Sequence, residues 1–400
     1  MRCIFSIKGN NMFENSTALS KPLKRFLCLS SISMSISMSG LTYAAQDYLD
    51  YGLHWAKMVS GNESQVKAVN HDGSLITQDT SYYDDSKPTM IYFHGWQSGS
   101  AEEGYSREDF EFSDINENTM ETWKEQGWNV GIFHWNQFAD ESEVKDAEAK
   151  MWSANGNKGM RYRLSDGSYS TTQSPAISVG EIAFQQISSV LANNTSNNLR
   201  FAGHSLGNQL AVFVAQQIND GINNGTLANN LMPKRIALLD PFWSQDGKSY
   251  LGDKNGDGQN DWTGERVRWA INEMIADQDI AVEWYKTSLI FDVWIGDQNT
   301  ALESDVALIN NRFWYLNAWD ITSKHNHARR WYFQSMDSDA PEEVSINWWG
   351  TRSETGYDAA SASTSDNRIK FMMGNSYEWD QVEGRYTADP ADDQFEVKDY

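Results

Sequence analysis

The sequence predicts an α/β fold with a mostly parallel central sheet and helices on both faces. Two observations carry this. Short, nearly continuous apolar runs rich in β-formers alternate with segments of helical period. Those runs lack the in–out alternation of a sheet with one wet face, so both faces must be covered. Size agrees: 400 residues, 40% of them hydrophobic and 13% aromatic, can bury a sizeable core, which excludes wholesale disorder.

The elements follow in order. Thr89–His94 (TMIYFH) reads as a strand ending at a glycine, Ile115–Gly127 as a helix and Asn129–Trp135 as a second strand. Ile177, Ile182, Phe184, Ile187, Val190 and Leu191 recur at helical spacing. Asn198–His204 is a strand, Gln209–Ile218 a helix, and Arg235–Asp240 a strand closed by Asp240-Pro241. Val267, Ala270, Ile271, Met274 and Ile275 form a helical stripe. Ile280–Ser288 and Arg312–Trp319 are further strand candidates. Two stretches, 137–172 and 244–264, are polar and longer than connections require, and read as long loops. In such folds functional groups collect at the carboxyl ends of the strands.

The balance of 32 Lys+Arg against 55 Asp+Glu gives a net charge of -23. That excludes a nucleic-acid partner, which needs a basic footprint, and docking on anionic lipid by charge alone. Residues 1–44 carry the marks of a cleaved signal peptide: Lys21, Lys24 and Arg25, then an apolar run from Phe26, then small residues around Thr42-Tyr43-Ala44. Met12 is an alternative start. The apolar run is too short and too serine-rich for a stable transmembrane anchor. Both cysteines, Cys3 and Cys28, fall in this leader, so residues 45–400, read as a single catalytic domain, have neither disulfides nor thiolate chemistry. The expected location is extracellular or periplasmic.

The informative segment is Phe201-Ala202-Gly203-His204-Ser205-Leu206-Gly207, a G-x-S-x-G between a predicted strand and a predicted helix. The chemistry needs that setting, because a sharp strand-to-helix turn lifts the serine hydroxyl above the sheet and aims helix N-terminal amides at developing negative charge. A serine also needs a base, and the base an orienting acid. Asp240 ends the next strand and so lies on the rim of Ser205. Of seven histidines only His325 and His327 follow the acid in chain order. An H-x-H pair also suits a metal, but no cysteine or further clustered histidine accompanies it. The loop at His94-Gly95-Trp96 can face the elbow, so the amides of Trp96 and Leu206 are oxyanion-hole candidates. His94 reads as structural, His134 as a residue of the rim, and His54 and His71 as surface residues.

Together these segments resemble the pancreatic-lipase branch of the α/β-hydrolase superfamily, secreted serine lipases and esterases. The resemblance rests on Tyr92–Trp96, Asn129–Trp135, Phe201–Gly207, Ile236–Pro241 and Asn326–Ser335, and spans Thr89–Ser335. It implies the α/β-hydrolase fold, Ser205 as nucleophile, Asp240 as acid and, through the NHARRWYFQS segment, His327 rather than His325 as base. It also implies carboxylic-ester hydrolysis of lipid, triacylglycerol or phospholipid. One bulky residue after His-Gly, Trp96, implies longer acyl chains. The chain departs from the family in lacking cysteines after residue 44, in its long 137–172 segment and in having no separate C-terminal β-sandwich.

Asp253, Asn255, Asp257, Gln259 and Asp261 follow a D-x-N-x-D-G-x-x-D pattern with side-chain oxygens and a carbonyl at calcium-loop spacing. Position 12 is Gly264 rather than Glu, so a weak structural Ca²⁺ site is expected, with no organic cofactor. A rival of another class is a calcium-braced, tryptophan-rich module binding glycan or cell wall. A thioesterase or peptidase on the same fold is the rival within the enzyme class.

Overall fold

The computed structural model describes residues 48–102, 108–112, 115, 117–289 and 296–399. The predicted leader and both cysteines lie outside the described residues. The central element is a 12-stranded sheet. Its strands are β1 (Gly52–Val59), β2 (Asn62–Lys67), β3 (Thr89–Phe93), β4 (Asn129–His134), β5 (Leu199–His204), β6 (Arg235–Leu239), β7 (Ala281–Lys286), β8 (Ala307–Asn310), β9 (Glu342–Ile346), β10 (Arg352–Asp358), β11 (Tyr377–Glu383) and β12 (Gln394–Asp399). Across the sheet they run β10-β9-β12-β11-β8-β7-β6-β5-β3-β4-β1-β2. From β4 to β11 all neighbours are parallel, while β1 and β2 add antiparallel strands at one edge.

The inner strands are apolar on both sides because each side meets a different core. In β6, Ile236 and Leu238 join one cluster and Ala237 and Leu239 the other; β3 divides Ile91 and Phe93 from Met90 and Tyr92 in the same way. The first core is closed by α2 (Val144–Trp152), α3 (Val179–Val190), α4 (Gly207–Asn223) and α5 (Thr263–Gln278). The second lies under α1 (Thr119–Glu125), α6 (Ile321–Gln334) and α7 (Asp366–Met372). The sheet is mostly parallel with a helical layer on each face, the α/β class that the sequence predicts. Helix α3 starts at a capping box between Ser178 and Glu181, which satisfies two of its free amides.

Several expectations are corrected. The segment Arg312–Trp319 is no strand: the amides of Trp314 and Tyr315 both donate to the Arg385 carbonyl, at 2.8 and 3.2 Å, and the strand β8 lies just before it. The helix expected from Ile115 starts only at Thr119, where the Asn118 side chain caps it. The stretch 137–172 is structured, because α2 buries Ala147, Ala149 and Met151 and the buried Glu141 carboxylate takes Lys150 Nζ at 2.7 Å and Arg161 Nε at 2.8 Å. Four further strands, β9–β12, extend the sheet beyond the last strand expected. In the turn from β9 to β10, Trp348 and Trp349 are exposed. Among the described residues no helix is long and apolar enough to cross a membrane.

Buried cations help to hold the tail: Arg200 on the Ala362 carbonyl, Arg330 on the Ala388 carbonyl, and Arg235 most fully. Arg235 of β6 meets Glu283 of β7 through Nε at 2.8 Å and through Nη2, both residues fully buried. The same guanidinium donates to the carbonyls of Thr364 (2.6 Å) and Ser361 (2.5 Å). Losing one partner of such a pair leaves the other charge buried. Arg235→Met is therefore expected to cost about 3–5 kcal/mol of stability, read as a lower urea midpoint in equilibrium unfolding.

Candidate active site

The elbow is set by close approach of backbones. Ser205 stands between β5 and α4 with φ of 55°, a left-handed conformation that is uncommon outside glycine and marks strain held by its surroundings. Its amide donates to the Leu239 carbonyl at 3.1 Å, and its carbonyl accepts from Phe242 N at 3.2 Å, so the end of β6 grips both sides of the turn. Two glycines leave the room. A Cβ on Gly207 would stand 2.0 Å from the Phe93 carbonyl oxygen at the end of β3, and one on Gly95 would stand 2.7 Å from Ser205 Cβ.

Asp240 follows β6 directly and is fully buried. Its Oδ1 accepts from Thr287 N (2.8 Å) and Ser288 N (3.1 Å), and its Oδ2 from the Ser288 hydroxyl. Burial alone would raise this carboxyl. The hydrogen bond and charge of His325, with Ser288 and Thr287, outweigh burial and hold it below the usual range. An acid fixed this way stays ionised and is aimed by its own strand end.

The structure sets His325 beside Asp240 rather than the expected His327. Both histidines sit on α6, two residues apart and so on different faces of the helix. His325 is the one that meets Asp240, with Nδ1 2.7 Å from Oδ2. His327 Nδ1 donates instead to the Ser323 carbonyl at 2.7 Å, and its ring lies near Phe313 and Tyr315. His204, the residue before Ser205, donates from Nε2 to the His325 carbonyl at 3.0 Å. Its ring centroid lies 4.4 Å from that of His325. Burial, and then the charge of His325, push His204 down to about 3, so it stays neutral. Nothing in the sequence flagged His204 as a support for the base.

The other candidates fall as follows. The structure has no hydrogen bond from the amide of Trp96 or of Leu206 among the described residues. Gly95 against Ser205 places the first of these amides next in sequence to the elbow contact. The Trp96 indole donates to the Glu141 carbonyl at 2.7 Å. His94 is fully buried and structural, as expected: Trp135 N donates to its Nε2 (3.0 Å), which leaves the proton on Nδ1, facing the Gly95 carbonyl at 2.9 Å. Burial lowers it, so it stays neutral. His134 is buried with Nε2 on Gln65 Oε1 at 2.6 Å. His71 is exposed as expected, but His54 is not: it is buried beside His134 and pushed down to about 4 by burial.

In the acidic loop, Asp253 accepts from the amides of Gly256, Asp257 and Gly258, and Asn255 Nδ2 lies 3.2 Å from Asp257 Oδ2. Asp257 also accepts from the amide of Gln259. Asp261 turns to Arg266, Nε to Oδ2 at 2.6 Å. Four of the five expected ligands thus share one turn, and Asp261 closes the loop by accepting from Lys254 N at 3.0 Å while it also meets Arg266. Among the described residues no three His, Cys, Asp or Glu side chains stand together as a metal site.

No protein-family model matches the chain. No curated protein matches it either. Among solved structures it is similar to a poly(3-hydroxybutyrate) depolymerase from Bordetella parapertussis, at 11% identity and a TM-score of 0.28, over 55% of this chain and 63% of that one. It is also similar to a putative carboxylesterase from Lactobacillus plantarum (10% identity, TM-score 0.27, 63% and 81% covered). A third is the thermophilic carboxylesterase EstE1 from a metagenomic library (14%, 0.25, 66% and 76%). The chain thus spans less than two thirds of the length of the depolymerase. At these scores the fold rests on the sheet order described above, not on the neighbours.

The contact of α4 with β3 leaves no space for a methyl group. Gly207→Ala is expected to cost about 3 kcal/mol through overpacking against backbone that cannot rotate away, measured by urea unfolding against the wild-type chain.

Proposed function

We propose that the protein is a secreted serine carboxylic-ester hydrolase that works through an acyl-enzyme. One observation carries the reading: the hydrogen bond between His325 and the buried Asp240, on the helix that also touches the residue preceding a positive-φ serine. A passive strand-to-helix turn has no need of an ionised, fully donated carboxylate aimed at an imidazole.

In this reading Nδ1 of His325 is committed to Asp240, and Nε2 takes the Ser205 proton as Oγ attacks the ester carbonyl carbon. The carbonyl π pair moves onto oxygen, where the amides of Trp96 and Leu206 receive it. The C–O bond to the alcohol then breaks, and the imidazolium returns its proton to the leaving oxygen. Water repeats the sequence to release the acid and regenerate Ser205. Asp240 holds the tautomer and steadies the imidazolium without taking the proton. Neutral His204 against the His325 ring adds no competing charge. The substrates proposed are lipid esters, with Trp96 in the oxyanion loop favouring medium or long acyl chains. A glycan-binding role would leave the Asp240–His325 pair without a use.

Ser205→Ala and His325→Ala are each expected to lower ester turnover by about 10⁴-fold while the chain stays folded, and His327→Ala to cost far less. A panel of p-nitrophenyl esters from acetate to palmitate, with a fluorophosphonate to label Ser205, checks all three and the acyl preference. A His327→Ala protein as dead as Ser205→Ala would return the base to His327.

A weak structural calcium ion on Asp253, Asn255, Asp257 and Gln259 belongs to the same proposal, with Asp261 released from Arg266 to join it. Calcium at a hundredfold excess over its Kd would then add about 2.7 kcal/mol. Thermal unfolding is expected to show a higher Tm in calcium than in equal magnesium, and Asp257→Ala to abolish the difference. Equal shifts from both ions would leave the loop a solvated turn.

A further inference from the structure

We infer that Glu108 is a positioning residue that locks the helix of the base to the oxyanion loop, so that His325 and the Trp96 amide hold one geometry through turnover. This rests on the reading of Ser205, Asp240 and His325 given above. Catalysis draws its base and its first oxyanion donor from different parts of the chain. His325 comes from α6, and Trp96 from a segment past β3 that belongs to neither helix nor strand. Such a loop has no backbone ladder to fix it, and a displacement of about 1 Å between reacting groups costs roughly 100-fold in rate.

Glu108 spans that gap. Its Oε1 accepts from Gln97 Nε2 at 2.9 Å, and Gln97 is the residue after Trp96. Its Oε2 accepts from the Tyr92 hydroxyl of β3 at 2.7 Å and from the Arg329 guanidinium. Arg329 lies one helical turn beyond His325, on the same side of α6. Its guanidinium is wedged over the rings of Phe112 (4.8 Å to the centroid) and Tyr92 (5.8 Å), which leaves it little freedom to swing. Gln97 is held from its other end, where its Oε1 accepts from Asn136 Nδ2 at 2.5 Å. The route from α6 to the oxyanion loop therefore passes through Arg329, Glu108 and Gln97 without touching Asp240. Burial alone would raise the Glu108 carboxyl, but the Arg329 guanidinium above all, with the Tyr92 hydroxyl, brings it down to about 2, so the link is an ionised one.

Four contacts then hold α6 at its catalytic end: Asp240 on the His325 ring, His204 on the His325 carbonyl, the Thr287 hydroxyl on the Lys324 carbonyl, and Glu108 on Arg329. The charged and titratable groups around His325 are accordingly Asp240 from the end of β6, His204 from β5, Glu108 from the loop after β3, and Lys324 and Arg329 from α6. Of these groups, Glu108 also reaches the oxyanion loop, through Gln97.

The test uses the full chain, with active sites counted by fluorophosphonate labelling so that turnover is expressed per competent serine. For Glu108→Gln, kcat on a soluble p-nitrophenyl ester is expected to fall 10- to 100-fold with KM changed less than about threefold. The acid limb of its kcat/KM profile is expected to move to lower pH, because the unpaired Arg329 cation now opposes the imidazolium one turn away. Glu108→Gln with Arg329→Met restores neutrality, so the limb should return while kcat stays low. Should Glu108→Gln fail to fold, Gln97→Ala cuts only the loop end of the link, and is expected to lower kcat about tenfold with the limb unmoved. A salt bridge that served stability alone would lower Tm but leave kcat per labelled site and the limb at wild-type values, and that result overturns the inference. Failure of the wild-type chain to label at Ser205 would instead remove the serine-hydrolase reading itself.

Discussion

The site depends on one steric fact, the contact of three strand ends around Ser205. The end of β3 touches α4 at Gly207, the loop beyond β3 touches Ser205 at Gly95, and the end of β6 is bonded to both the amide and the carbonyl of Ser205. Each contact forbids a side chain or fixes a peptide plane. Together they hold a serine in a left-handed conformation that it would leave if the sheet loosened. The parallel register of β3, β5 and β6 brings these ends level. The geometry at Ser205 is thus a by-product of sheet assembly, and any change that shifts β3 against β5 is felt at the hydroxyl.

Charge is distributed in an unusual way around this scaffold. The chain has few cations for its size, yet several are spent inside: Arg235 on Glu283, Lys150 and Arg161 on Glu141, and Arg329 on Glu108. Arg235 reaches from β6 to the tail carbonyls of Ser361 and Thr364, Lys150 and Arg161 close the 137–172 segment on itself, and Arg329 ties α6 to the loop after β3. Buried pairs of this kind do little for stability against an apolar alternative. Their directional donors do specify which surfaces meet, which a chain with no cysteine after residue 44 cannot do with disulfides.

The inner strands, the elbow and Asp240 were legible because their signals are local. Continuous apolar runs mark β3–β7, and glycines mark the elbow. The partner of Asp240 was not legible from the Asn326–Ser335 segment. His325 is followed at helical spacing by the buried Ala328 and Tyr332, and His327 by the buried Arg330 and Trp331, so helical phase does not choose between them; the tertiary contact with Asp240 does. His54 was misread because its neighbours Leu53 and Trp55 face one core while the histidine faces the other. The strands β9–β12 were missed for a different reason. Every residue of β10 is exposed and β9 buries only part of its length, so neither periodicity nor composition announced them. Glu108 carries no local signal, since its partners lie 11, 16 and 221 residues away.

That exposed β10 has a consequence for how copies of the chain meet. A sheet of this width ends in two open rows of amides and carbonyls, at β10 and at β2, and such rows template pairing with a neighbour. Here the outer strands read Arg-Ser-Glu-Thr-Gly-Tyr-Asp and Asn-Glu-Ser-Gln-Val-Lys. Nearly every side chain of these two strands is polar, so a strand of a second copy added there would gain backbone hydrogen bonds and little apolar burial. The apolar surface of this border lies in the turn before β10, at the exposed Trp348 and Trp349, and at Tyr357 near its end, so its adhesive point is the turn rather than the ladder.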